Sequence, residues 1–224
     1  MKKALFLPLA LLVTFYNQAQ NKMNNELDSV SYLLGAAIGG NVMKDIPEGN
    51  KEMIIQGLRD KLYGNPLSIT DPTNQTLNAY FQQKQERDTK QAREGGEIFL
   101  AENKKNPNVK VTPSGLQYEI IKQGTGEKPT ATSKVKVHYH GTTPSGEVFD
   151  SSVERGEPIS FGLNQVIKGW TEGVQLMKEG AKYKFFIPFD LAYGEQGYPG
   201  AIPPKSDLIF EVELLKVNQN TVGQ

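Results

Sequence analysis

Hydrophobic positions recur along the chain at two different spacings, and the change from one to the other falls near Val109. From Glu26 to Met43, Leu27, Val30, Leu33, Leu34, Ala37, Ile38 and Val42 repeat at helical intervals. Gly35 and Gly39 lie four apart on this helix, beside Ala36 and Gly40. Glycine lowers helix stability, and close approach of another backbone is the usual compensation. That backbone belongs either to the same chain or to a partner chain, because the helical region is small for covering its own apolar surface. A second helix, KEMIIQGLRDKLYG, puts Ile54, Ile55, Leu58 and Leu62 on one face and stops at Gly64. A third is expected to begin at Asp71-Pro72, a cap followed by proline at the first helical position, and to end at Asn106-Pro107. Between Phe81 and Ile98 it is almost wholly polar, as a solvated stalk between two bodies would be; disorder is the alternative. Gly95-Gly96 marks a bend or a weak spot in it.

From Val109 onward the period is two. LQYEII, SKVKVHYHG, AKYKFFIP and DLIFEVELLKV read as strands between Gly- and Pro-rich turns. Val135, Val137 and Tyr139 share one face, opposite Lys136, His138 and His140; Leu208, Phe210, Val212 and Leu214 share another, opposite Glu211 and Glu213. One short helix is expected from Lys168 to Lys178. The fold class is α+β: helices first, then an antiparallel sheet wrapped against a single helix.

Composition narrows the function. The 224 residues include 25 basic and 25 acidic side chains, so no basic excess exists for nucleic acid. The absence of cysteine excludes disulfides, thiolate metal sites and cysteine catalysis. Residues 1–19 have the layout of a secretory signal peptide: Lys2-Lys3, an apolar run from Ala4 to Tyr16, then small and polar residues, with cleavage expected after Ala19. The run is too short for a membrane span, and no cysteine follows it for a lipid anchor. The mature protein is therefore expected to be exported, soluble and slightly acidic.

Chemistry of the usual kinds is scarce. His138 and His140 could share a metal only if a third ligand came from elsewhere, so no metal site is expected. Ser151-Ser152 has no evident histidine to activate it. What remains is aromatic: Tyr139, Phe149, Phe161, Trp170, Tyr193, Tyr198 and Phe210, with Val166, Ile167 and Ile202. Each alone reads as core. Together they describe an apolar binding pocket, with tyrosine hydroxyls and the Asp150 carboxylate to orient a ligand.

The ordered series VHYHG, GEVFDSS, PISFGLNQVIKGWTEGVQLMKEG and FDLAYGEQGYPGAIPPKSDLIFEVELLKV resembles the FK506-binding-protein (FKBP) family of peptidyl-prolyl cis–trans isomerases, over about Thr112 to Val217. The preceding helices resemble the N-terminal dimerisation domain of the exported two-domain FKBPs of Gram-negative bacteria, the FkpA/Mip type. The resemblance implies a signal peptide (1–19), a helical dimerisation domain (24–72), a linker helix (73–107) and an isomerase domain (108–218). It implies Tyr139, Phe161 and Phe210 as aromatic walls, Trp170 as floor, and Phe149-Asp150 as the pair facing bound proline. Val166 and Ile167 match the pocket edge, with the Ile167 N–H for a ligand carbonyl. Tyr193 matches a loop tyrosine reaching another carbonyl, Tyr198 and Ile202 a flap, and Arg155 an arginine near Asp150. Ile159 and Tyr198 depart from the human prototype, which carries an aromatic residue and a histidine there. Proline-containing or unfolded polypeptides are the implied partners, FK506- or rapamycin-type compounds the implied ligands, a homodimer the implied assembly, and no cofactor is implied. A chaperone or an interaction module with little isomerase activity is the alternative.

Overall fold

The period-two run around Tyr139 forms an interior strand of a sheet in the computed structural model, which describes residues 23–218. The expected signal peptide lies outside them. Contacts divide the chain after Thr70.

The first unit contains α1 (Glu26–Asp45) and α2 (Lys51–Tyr63). Asn25 caps α1 by accepting the Asp28 N–H at 2.9 Å, and Asn50 caps α2 by accepting those of Glu52 and Met53. Gly64, at φ 70°, ends α2 in the left-handed conformation read from the sequence. Neither helix contains a buried residue, and apolar side chains are exposed around α1, Leu27, Leu33 and Leu34 all more than half so. A Cβ added at Gly35 or Gly39 would meet nothing within 4 Å.

The second unit opens with α3 (Gln75–Asn103). It starts later than expected. Asp71 to Asn74 forms a turn closed by the Asn74 N–H on the Asp71 carbonyl, with Asn74 at φ 53°, so Pro72 precedes the helix. Asp71 still caps it from outside, accepting the Gln75 and Thr76 N–H groups at 2.9 and 2.8 Å. Pairs four residues apart, Lys84–Asp88 and Arg93–Glu97, support its polar length. The helix runs unbroken through Gly95-Gly96. Its last turns lie on the sheet: the Phe99 and Phe186 rings are 5.8 Å apart, Asn103 donates to Gln117, and Gln117 donates to the Leu100 carbonyl, both at 2.9 Å.

Seven strands follow: β1 (Val109–Val111), β2 (Gln117–Lys122), β3 (Lys134–Thr142), β4 (Val148–Ser151), β5 (Ile159–Gly162), β6 (Lys182–Ile187) and β7 (Leu208–Asn218). Their order is β1-β2-β6-β7-β3-β4, all pairings antiparallel, and β5 pairs the other half of the β3 edge that β4 occupies. The expected faces hold: Val135, Val137, Tyr139, Leu208, Phe210, Val212 and Leu214 are buried. A register shift between Lys136 and Val137 then lets Val217 return to the core.

Helix α4 (Lys168–Val174) packs Trp170 and Val174 into this core. It is shorter than the expected span to Lys178. After Val174 the bonds tighten to i→i+3 (Leu176 N–H to Gly173, Met177 N–H to Val174), and the tighter turn carries Met177 into the interior.

Candidate active site

A cavity of about 580 Å³ opens above α4. β3 supplies Tyr139, β4 Phe149 and Asp150, β5 Phe161, and β7 Phe210. Val166 and Ile167 line it just before α4, and Trp170 on the first turn of that helix forms its floor. The loop between β6 and β7 closes it with Tyr193, Tyr198 and Ile202. A larger groove, about 700 Å³, lies between α3 and Lys205, but glutamines and paired charges line it and it has no apolar floor.

Trp170 is nearly covered by other rings. Tyr139 and Phe210 meet it edge-on, at 5.4 and 5.1 Å between centroids, and Phe161 is tilted at 5.3 Å. Phe149 meets Phe210 edge-on at 5.3 Å. Edge-to-face packing aligns complementary ring charge and fixes the rings against one another. The buried Trp170 Nε1–H has no partner among the described residues. Gly141 makes the wall possible: a Cβ there would lie 2.7 Å from the Phe149 ring and 2.9 Å from Phe210. Gly141→Ala is therefore expected to lower stability by about 1–3 kcal/mol, as overpacking does, and to weaken peptide binding by displacing Phe149. Thermal unfolding and KM measured on the same sample check both effects.

The polar groups form one cluster. Asp150 accepts hydrogen bonds from the Tyr139 hydroxyl and the Arg155 guanidinium, and Arg155 also donates to the Tyr139 oxygen at 2.8 Å while its carbon lies 5.7 Å over that ring. Burial alone would raise the Asp150 carboxyl, but the hydrogen bonds from Tyr139 and Arg155 and the guanidinium charge hold it below the usual range. Asp150 is thus a fixed anion at the pocket wall. Burial pushes the Tyr193 phenol up, aided by the Asp150 charge, so its hydroxyl stays a donor. The Ile167 N–H, ahead of α4, has no acceptor among the described residues.

The loop over the pocket has its own small hairpin. Tyr198 and Ile202 exchange both backbone hydrogen bonds at 2.8 Å around Pro199-Gly200. This drives Ile202 inward to 5% exposure and leaves Tyr198 outside, its ring 5.5 Å from that of Tyr193.

Eleven of the twelve site residues read from the sequence line the cavity; the twelfth, Arg155, reaches it through Asp150 and Tyr139. Ile159, expected only as a departure from the prototype, lines it too, and Gln165 and Ala201 were not expected. Neither an alanine nor a glutamine carries a signature; only adjacency to Val166 and Ile202 points to them. One expectation is corrected: histidines do lie beside the serine pair. His138 Nδ1 is 3.1 Å from Ser152 Oγ, and His140 Nδ1 is 3.0 Å from Ser151 Oγ. These histidines are therefore half-buried partners, not a solvated face. Both serines are buried, and Ser152 Oγ accepts the Tyr139 N–H at 2.8 Å. Glu154 approaches the same nitrogen of His140 that Ser151 uses, whereas a relay needs opposite ring nitrogens. The pairs brace the turn after Asp150.

An aromatic floor, a fixed carboxylate, free hydrogen-bond donors and no accessible nucleophile suit a reaction that rotates a bond, and the chain belongs to the FKBP-type peptidyl-prolyl cis–trans isomerases: residues 125–215 match that family's isomerase domain. It catalyses peptidyl-prolyl cis–trans isomerisation and is of the two-domain FkpA/Mip-like form, residues 27–120 matching the domain described as amino-terminal to FKBP-type peptidyl-prolyl isomerase. It is 46% identical over 205 residues to a probable FKBP-type isomerase of Haemophilus influenzae, covering 85% of each chain. It is 36% identical to the outer membrane protein MIP of Legionella longbeachae, covering 96% of each. Among solved structures it resembles FkpA from Escherichia coli, at a TM-score of 0.60 and 36% identity, over 88% of this chain and 99% of that one.

Proposed function

We propose that the cavity speeds X–Pro rotation by taking the imide out of water and holding it in a twisted form. Rotation opposes a resonance barrier of about 18–20 kcal/mol, and without catalysis it is slow enough to limit folding. Twisting removes conjugation and makes the carbonyl less polar. A pocket walled by Tyr139, Phe161, Trp170 and Phe210 therefore penalises the planar ground state more than the twisted one, which is the differential binding that raises a rate. In this reading Trp170 supports the proline ring and Phe149, Val166 and Ile202 enclose it. The Ile167 N–H and Tyr193 hydroxyl hold flanking carbonyls. Asp150, oriented by Arg155 and Tyr139, sets the local field, and Tyr198 covers the ring from the flap. No metal or cofactor has a part in it.

The observation that carries this reading is the apolar, ring-lined cavity whose one carboxylate is held ionised. A protease-coupled assay on X–Pro peptides tests it: rate enhancement by the folded protein is expected, and none on any such peptide would overturn it. Trp170 is the only tryptophan and lies at the cavity floor, so proline peptides or FK506-type compounds are expected to change its emission saturably. A Trp170→Phe variant should give no such signal.

The reading extends to the whole chain. Exported, unfolded, proline-containing polypeptides are the substrates, the periplasm is the site of action after removal of residues 1–19, and residues 24–72 pair two chains. The uncovered apolar surface of α1 and α2 supports pairing. The same surface favours a chaperone role beside the isomerase. Deleting residues 108–218 and retaining full protection of an aggregating client would assign that role to the helices.

A further inference from the structure

Asp207 is a carboxylate at 5% exposure, at the step from the flap into β7. Its Oδ1 accepts the Phe189 N–H at 2.8 Å. Phe189 and Asp207 are the two ends of the loop that carries Tyr193, Tyr198 and Ile202, so one side chain closes this loop at its base. The Lys205 N–H on the Gly194 carbonyl, at 3.1 Å, closes it again one step higher. The other carboxylate oxygen faces α3. Gly96 is the one buried residue of that helix, and a Cβ on it would overlap Asp207 Oδ2 and lie 2.8 Å from Cγ. The helix backbone is therefore seated directly on the carboxylate, with Phe99 on Phe186 holding the next turn.

We propose that Asp207 is a positioning residue coupling α3 to the flap, so that the seat of the helix on the isomerase body sets how Tyr193 and Ile202 lie over the substrate. The glycine pair is then a docking point for the flap's anchor. Among the groups facing it, Glu97 comes from α3, itself paired with Arg93, and Asp190 from the turn after β6. Burial raises the Asp207 carboxyl to about 6, opposed by the Phe189 N–H and reinforced by Glu97 and Asp190. A folded value above the unfolded one means that protonation favours the fold. The contribution is complete below the ordinary value near 3.8 and is lost as pH rises through about 6. The contact is thus relaxed in acid and under charge strain above neutrality.

Three full-length variants test the coupling, which rests on the isomerase activity for its kinetic readout. Alanine is the better helix former, so any loss in Gly96→Ala comes from the contact and not from α3 itself. Gly96→Ala and Asp207→Ala are expected to raise KM for X–Pro peptides by roughly three- to tenfold while kcat changes by less than about twofold. Asp207→Asn keeps the acceptor for Phe189; it should restore KM and unfold at a higher temperature than wild type at pH 8, with the gap closing toward pH 5. The Phe189 amide resonance of the wild-type protein should titrate near pH 6, and that of Asp207→Asn should not. The Tyr193 and Tyr198 amides of Gly96→Ala need no activity and decide the matter even where Asp207→Ala does not fold. A folded Gly96→Ala with wild-type KM and unmoved Tyr193 and Tyr198 amides would overturn the proposal, and a Phe189 resonance flat between pH 5 and 7.5 would overturn its pH dependence.

Discussion

Asp150→Ala is expected to lower kcat/KM on X–Pro peptides by on the order of tenfold to a hundredfold, with the fold retained. The carboxylate receives both the Tyr139 hydroxyl and the Arg155 guanidinium, so its removal releases two groups at once. Arg155, freed, would turn to solvent, and the pocket wall would lose its fixed negative charge and the orientation of Tyr139. Asp150→Asn keeps an acceptor of the same shape without the charge, and its activity should fall between wild type and alanine. If asparagine equals wild type, the charge has no part in the rate and only the geometry matters. The pH profile follows the same logic. The folded carboxyl lies below its ordinary value, so its contribution is present above that value and is lost only as pH falls through the depressed one. Activity should thus be insensitive to Asp150 titration from weakly acidic pH upward.

Charging the exposed face of α1, in a Leu34→Glu/Ile38→Glu variant, should convert a dimer to a monomer at micromolar concentration and melt much of the signal of α1 and α2. Neither helix buries a residue within one chain, and an amphipathic or apolar helix takes most of its stability from packing. A leucine-sized side chain contributes roughly 1.5–3 kcal/mol when fully buried. A handful of them buried between two chains would outweigh the ordering cost of association and give micromolar or tighter pairing. Gly35 and Gly39, next to the substituted positions, have open space over them, as a close approach by a second backbone would require. Activity on short peptides should be unchanged, because the cavity draws every residue from the second unit. Sedimentation of the wild-type protein as a monomer, or of the variant as an unchanged dimer, would sink this reading.

Where a side chain answers to its own neighbours in sequence, the chain could be read directly. The alternation around Tyr139 and Phe210, the stop at Gly64 and the ordered aromatic motifs belong here. Distant contacts could not be read. Gly96 resembles a weak point until Asp207 is set against it, and no local pattern connects the two. His138 and His140 fall on the polar face by strand phase, but the β4 turn that supplies Ser151 and Ser152 covers that face. β4 and β5 are four residues each, too short for their period to register between turns. The cue at Asp71-Pro72 points one turn too early because Asn74 adopts a left-handed conformation that carries no composition signal of its own.

The strand lengths have a consequence for an enzyme of a family that binds proline-containing polypeptides. An open row of backbone donors and acceptors on a sheet edge templates any extended polypeptide that passes. Here the two long strands, β3 and β7, are interior, while one edge is the three-residue β1 and the other is divided between β4 and β5. The sheet therefore offers a polypeptide the ring-lined cavity and little strand edge to zip onto. Short edges of this kind favour release after each turnover.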